Sequence, residues 1–285
     1  MSSSPLRSNS YHARSVSLAS TSHPIIPHLS EQLCRLRSSE ATSSSLALIS
    51  NRLSSLENLY DCVNDLLLLP QTQQLLARES KEKWVGEALD GYLRLLDAFA
   101  ATKDIFSQTK DDVKEQLSVL RRKRDASDFG GYLTTRKKAN MVIRKLLKDL
   151  KSVANKDTLN VPALDRDHET VATFSMLKEV EAVTVLELES LLSYTLGRNV
   201  QSGRSGWSLV SKLIHHKRPI CQAKETITSE FEKVDSAVKA PISVETMQNQ
   251  LGELELSSEV VEEVLERLIR RFIRTRVSLL NILNN

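Results

Sequence analysis

Glycine and proline are scarce in this chain, at 8 and 7 of 285 residues. In a helix interior they cost about 1 and about 3 kcal/mol respectively, so their scarcity leaves room for long helices. Aromatic residues make up only 5%, and alternating runs of Val, Thr and Tyr are rare, which argues against sheet. The three cysteines, Cys34, Cys62 and Cys221, lie far apart and never form a C-x-x-C pair. That pattern excludes a disulfide framework and a cysteine zinc site, and it fits reduced intracellular thiols. No run of about 18 apolar residues occurs, so a membrane-spanning helix is not expected. An excess of one charge is missing too. The formal net charge is +3, too small to mark a nucleic-acid binder by itself.

What the chain does have is leucine at helical spacing. Leu46, Ile49, Leu53, Leu56, Tyr60, Val63 and Leu67 step by three and four, the rhythm of a bundle or coiled-coil seam. The next step falls on Pro70, which lacks an amide hydrogen and turns its predecessor away from helix. The four leucines at 66–69 are therefore read as the last turn of a helix over about 43–69.

A second tract, about 71–124 with a break near Ser80, carries Leu75, Val85, Leu89, Tyr92, Leu96, Phe99, Phe106, Val113, Leu117 and Leu120. Gly86 and Gly91 sit inside it against propensity, which is read as close packing on a neighbouring helix. A third helix, about 131–155, presents Val142, Leu146, Leu150 and Val153; a fourth, about 166–196, presents Val171, Phe174, Leu177, Val180, Leu188, Leu191 and Leu192. Shorter helices are expected at about 207–217 and 222–239, and a terminal tract at 243–283 with Val261, Leu265, Leu268, Phe272 and Leu279 on one face. In that tract acids precede bases, which suits the helix dipole, and Glu263–Arg267 and Glu266–Arg270 are spaced as i,i+4 pairs. The expected fold is all-α, an elongated antiparallel helical bundle. It forms a single domain over 31–284 behind a disordered Ser/Arg-rich N-terminal tail at 1–30. The tail contains Arg7 and Arg14 and no acid, a composition shared by organelle transit peptides and by solvated tails.

Signals for chemistry are few. His215, His216 and Cys221 cluster in "HHKRPIC", but adjacent helical residues point about 100° apart and do not easily share a metal. Asp165 and Asp167 beside His168 are read as the acidic start of the fourth helix. There is no phosphate-binding glycine loop, nucleophile elbow or H-E-x-x-H. No catalysis, cofactor or metal is expected.

The basic tract is more substantial. Arg121, Arg122, Lys123, Arg124, Arg136, Lys137, Lys138, Arg144, Lys145, Lys148 and Lys151 face only Asp125, Asp128 and Asp149, a net +8. One reading is a solvated face balanced by acidic helices elsewhere. The other is contact with an anionic partner such as a membrane surface, where each Lys or Arg contributes about 1 kcal/mol. Nucleic acid would use the same charge, but with only Phe129 and Tyr132 nearby there is no stacking platform, and it is not expected. In the tail, Ser10, Ser15 and Ser17 follow arginines and are candidate phosphate acceptors.

Five phrases in order, "RSNSYHARSVSLASTSHPIIPHLSEQLCRLR", "LYDCVNDLLLLPQTQQ", "LDGYLRLLDAFAATKD", "YLTTRKKANMVIRKLLKDLK" and "RFIRTRVSLLNILN", resemble the plant-specific family described as domain of unknown function 241. The resemblance implies a helical, single-domain land-plant protein without established catalysis, linked to root and shoot development and similar in character to BYPASS-type developmental proteins. No site residue is carried over by it. The expectation is an interaction or scaffold protein with an unidentified protein partner, with self-association left open. The expected location is cytoplasmic; nucleus, plastid and peripheral membrane stay open.

Overall fold

A computed structural model describes residues 23–38, 45–79, 83–123, 129–156, 168–197, 228–239 and 242–284. Among them are eight helices: α1 (Ile25–Ser38), α2 (Leu46–Leu68), α3 (Pro70–Arg78), α4 (Lys83–Lys123), α5 (Gly130–Lys156), α6 (His168–Thr195), α7 (Glu230–Ala237) and α8 (Val244–Asn284). No strand occurs among the described residues. The fold is an all-α helical bundle. Its longest members, α4 and α8, have 41 residues each and span about 60 Å at 1.5 Å per residue.

Contact register gives the topology. Lys110 pairs with Glu262 and Lys103 with Glu266, so α4 and α8 run antiparallel. Tyr60 meets Thr184 while Arg52 meets Glu187, so α2 and α6 are also antiparallel. Helices α2 and α8 close the bundle side by side and parallel, because Glu57 meets Arg267 while Asn64 meets Thr275. Helix α5 packs on α4 and α6, and α7 packs on α8.

The α2 seam is the centre of the core: Leu46, Ile49, Leu53, Leu56, Tyr60, Val63 and Leu67 are all at most 1% exposed. The four-leucine run divides, with Leu66 and Leu67 buried and Leu68 exposed. Leu69 is extended at ψ 130, and Pro70 then opens α3 at a position where its missing N–H costs nothing. Four aromatic rings lock α2, α4 and α8 together: Tyr60 lies 4.3 Å from Phe272, Phe99 lies 4.9 Å from Phe272, and Tyr92 stands edge-on to Tyr60 at 6.5 Å. Four of the thirteen aromatic residues thus meet where three helices come together.

Two details differ from the sequence reading. Helix α1 begins at Ile25, inside the stretch assigned to the tail. Pro27 falls in its first turn, where a missing amide is harmless, and Leu29, Leu33 and Leu36 are at most 2% exposed. The glycines of α4 also part company. Gly91 lies against the buried Glu181 carboxylate, whereas nothing within 4 Å would meet a Cβ at Gly86. Only Gly91 serves close packing.

Candidate interaction surface

Helix α5 has seven Lys/Arg among its described side chains, and one of them is not at the surface. Arg136 is 6% exposed. Its Nε donates to Asp235 Oδ2 at 3.2 Å, its Nη2 donates to the Thr195 carbonyl at 2.5 Å, and its guanidinium lies 4.5 Å from the Phe231 ring centre. Thr195 ends α6 and Asp235 belongs to α7, so one planar cation ties three helices. The α6 end supplies an unsatisfied carbonyl at the negative pole of its dipole, a natural seat for a cation. Tyr132, one turn earlier, donates to Asp235 Oδ1 at 3.3 Å. Burial raises its phenol pKa, and the Asp235 charge adds to the effect. Arg136 is therefore removed from the anionic-surface candidates, and the reason is the phase of α5. Its buried face runs through Tyr132, Arg136, Ile143, Leu147 and Leu150, while Val142, expected inside, is 43% exposed.

The remaining bases of α5 point outward. Lys137, Lys138, Arg144, Lys145, Lys148 and Lys151 are all exposed, with Met141 among them at 65%. None of these six forms an ion pair with another described residue. On α4, Arg121 and Arg122 are exposed, and Arg122 folds back on its own helix to the Ser118 carbonyl at 3.2 Å and hydroxyl at 2.6 Å. The Lys123 side chain and Arg124 lie outside the description, as do Ser10, Ser15, Ser17, His215, His216 and Cys221.

Beside this basic face runs an acidic one that the sequence reading missed. Asp90, Asp97, Asp104 and Asp111 recur every seven residues along α4, with Glu115 one turn on, and all are exposed. Seven residues are close to two helical turns, so these carboxylates form one stripe. The spacing was visible in the sequence, but attention to the apolar period passed over it. None of the five forms an ion pair with a described residue either. The lysines of α4 are directed instead to α8, where Lys103, Lys110 and Lys114 meet Glu266, Glu262 and Glu255.

Between the two stripes lies an open groove of about 510 Å³, with Asp104, Gln108 and Asp112 on its α4 side and Thr135, Lys138 and Val142 on its α5 side. Asp104 and Lys138 both line it, so the acidic row of α4 and the row of α5 that continues from Lys138 to Lys145 border the same groove. Gln108 Nε2 donates to Asp112 Oδ1 at 3.0 Å. Burial raises the Asp112 pKa, and hydrogen bonds from Gln108 and Thr135 only partly offset this.

The terminal helix, the other face considered from sequence, is largely occupied. Arg267 and Arg271 reach Glu57, and Arg271 and Arg274 reach Asp61. Among the described residues, no group of His, Cys, Asp and Glu is placed to hold a metal ion, and no helix is long and apolar enough to cross a membrane.

The ordered phrases of the sequence now have an independent counterpart, since the family model described as Protein BPS1 matches residues 52–282. The chain belongs to the BPS1 family. This is the family that the phrases resemble, domain of unknown function 241. The BPS1 match takes in α2 from its second turn through nearly all of α8, and so includes both charged stripes. No curated protein and no solved structure matches the chain.

Proposed function

We propose that this BPS1-family protein works by binding other proteins, through the acidic and basic stripes that α4 and α5 present side by side. One observation carries the reading: two solvent-facing rows of opposite charge, neither of which finds its counter-charges among the described residues. Paired rows of this kind give specificity and register to a protein contact. Family membership supports a plant developmental protein; a scaffold role in root and shoot development is the finer form of the proposal.

A second reading places α5 on an anionic membrane surface, and Met141 exposed among the bases favours it. The neighbouring acids weigh against it. Packed helix axes lie about 8–10 Å apart, and the physiological screening length is about 8 Å. Lipid phosphates drawn to α5 would therefore also feel the carboxylates of α4. Nucleic acid fits less well, because among the described residues no aromatic side chain is an exposed large hydrophobic.

The test is affinity purification from plant tissue of the native chain and of a Lys138, Lys145, Lys148→Glu variant. The expected result is a defined protein set retained by the native chain and lost by the variant. Identical sets, or co-purifying nucleic acid in place of protein, would overturn the reading.

A further inference from the structure

The two stripes match each other in more than sign. Asp112 of α4 and Thr135 of α5 line the same groove, which sets the level of one helix against the other. Only six residues separate α4 from α5, and α5 packs back on α4, so the two run in opposite directions and each seven-residue step back along α4 corresponds to a seven-residue step forward along α5. Asp111 therefore lies about level with Lys138, Asp104 with Lys145 and Asp97 with Lys148; Lys137 and Arg144, each one residue before a member of this row, point about 100° away from it. Adjacent rungs are about 10 Å apart along the axis at 1.5 Å per residue. Inside one chain these residues are exposed, and none of them forms an ion pair with a described residue.

We propose that the occupant of this face is a second copy of the same chain, with the α4 stripe of each copy lying on the α5 stripe of the other. The proposal rests on the reading that this face makes protein contacts, and it names the partner. A two-fold axis parallel to α4 and α5, running above the groove between them, exchanges the two helices and leaves every level unchanged. Asp111, Asp104 and Asp97 of one copy then stand over the basic rungs of the other, and the same contacts recur by symmetry, an isologous interface. The alternative axis, perpendicular to the helices, would set acid on acid and base on base. A face close to electrical balance, with its two signs segregated into parallel rows, is complementary to itself in that one orientation. It is less suited to a uniformly anionic surface. Contacts are mainly ionic and solvent-accessible, so the association is salt-sensitive.

Analytical ultracentrifugation of the full chain tests this. The expected result is a two-chain mass at about 0.01 M salt that falls to one chain at about 1 M, where the screening length shrinks to about 3 Å. Two variants carry the specificity. One is Asp97, Asp104, Asp111→Lys; the other is Lys138, Lys145, Lys148→Glu. Each alone should sediment as one chain, because the three facing levels of its two rows then carry one sign. Mixed, they should restore the two-chain mass. Circular dichroism and thermal melting confirm that each variant is folded. A native chain that stays monomeric at low salt overturns the proposal, as does a variant that dimerises alone or a mixture that does not. Flotation with phosphatidylserine vesicles separates this failure from failure of the broader reading. A monomer that floats, and stops floating in the Lys→Glu variant, assigns the face to lipid and removes both. A monomer that does not float removes self-association alone.

Discussion

Arg136 joins two groups that would otherwise be poorly satisfied: the Thr195 carbonyl at the end of α6 and the Asp235 carboxylate on α7. Its planar fork serves both at once while one face rests against Phe231, a geometry that a lysine ammonium does not reproduce. Arg136→Ala is expected to lower stability by about 2–4 kcal/mol, since it strands a buried carbonyl and a partly buried carboxylate. Arg136→Lys should recover only part of the loss, and Lys137→Ala should move the urea midpoint by no more than about 0.5 kcal/mol equivalent. Equal effects at 136 and 137 would contradict the buried anchor. The two glycines of α4 give a second contrast. Gly86→Ala adds a methyl group to open space and should stabilise by about 0.5–1 kcal/mol through helix propensity. Gly91→Ala must displace the buried Glu181 side chain and should cost about 1–3 kcal/mol. Thermal melts of the two variants shifting in the same direction would refute the assignment of Gly91 as a contact point.

At the scale of the helix, legibility depended on whether the apolar residues allowed one phase or two. In α2, Leu46 through Leu67 admit a single a/d register, and that seam is the buried one. In α5 the triplet Met141, Val142 and Ile143 and the doublet Leu146 and Leu147 allow neighbouring registers. The true one buries Ile143, Leu147 and Leu150 together with Arg136. No apolar pattern marks a buried arginine, because its partners at Thr195 and Asp235 are distant in sequence. Helix α6 was legible for a different reason: it is buried on most sides, as Val183, Thr184, Val185, Leu188, Leu191 and Leu192 show. Ion pairs were only half predictable. Glu266 does meet Arg270 on α8, but Arg267 turns to Glu57 on α2. The α4/α8 pair also carries a pH signature. Burial pushes the Glu262 carboxyl up, but hydrogen bonds from Lys110 and Ser107 outweigh it and hold the pKa below the usual value of 4.5. The Glu262 hydrogen bond in turn holds Lys110 above 10.5. A lowered acid contributes stability that is complete above its ordinary pKa and lost as pH falls through the folded value. A raised base contributes stability that is complete below its ordinary pKa and lost as pH rises through the folded value. Native chain should therefore exceed Glu262→Gln in stability by about 0.5–1 kcal/mol between roughly pH 5 and 10. The gap should close at both extremes; a gap independent of pH would rule out the pair as its source.

At the scale of the whole molecule, the BPS1 match starts at residue 52, but the bundle does not. Helix α1 lies before that point and packs on both α2 and α6. It brings Leu29, Leu33 and Leu36, each at most 2% exposed, and Arg37 reaches Glu179 of α6 at 2.5 Å. The first turn of α2 adds Leu46 and Ile49, each 1% exposed, with Ser45 capping the helix through the Leu48 amide at 3.3 Å. A chain cut to begin at Arg52 would lose these five apolar side chains and uncover the surfaces of α2 and α6 beneath them. Each buried Leu or Ile contributes about 1.5–3 kcal/mol, against a total stability of about 5–15 kcal/mol for a typical domain. The truncated chain is therefore expected to keep much of its helix signal but lose cooperative unfolding in urea and bind a hydrophobic dye. In the full chain, Leu33→Ala alone should cost about 2–5 kcal/mol. A truncated chain that unfolds as sharply as the full one, at the same midpoint, would show that α1 rests on the bundle without helping to hold it, and the core would then have to close without its first helix.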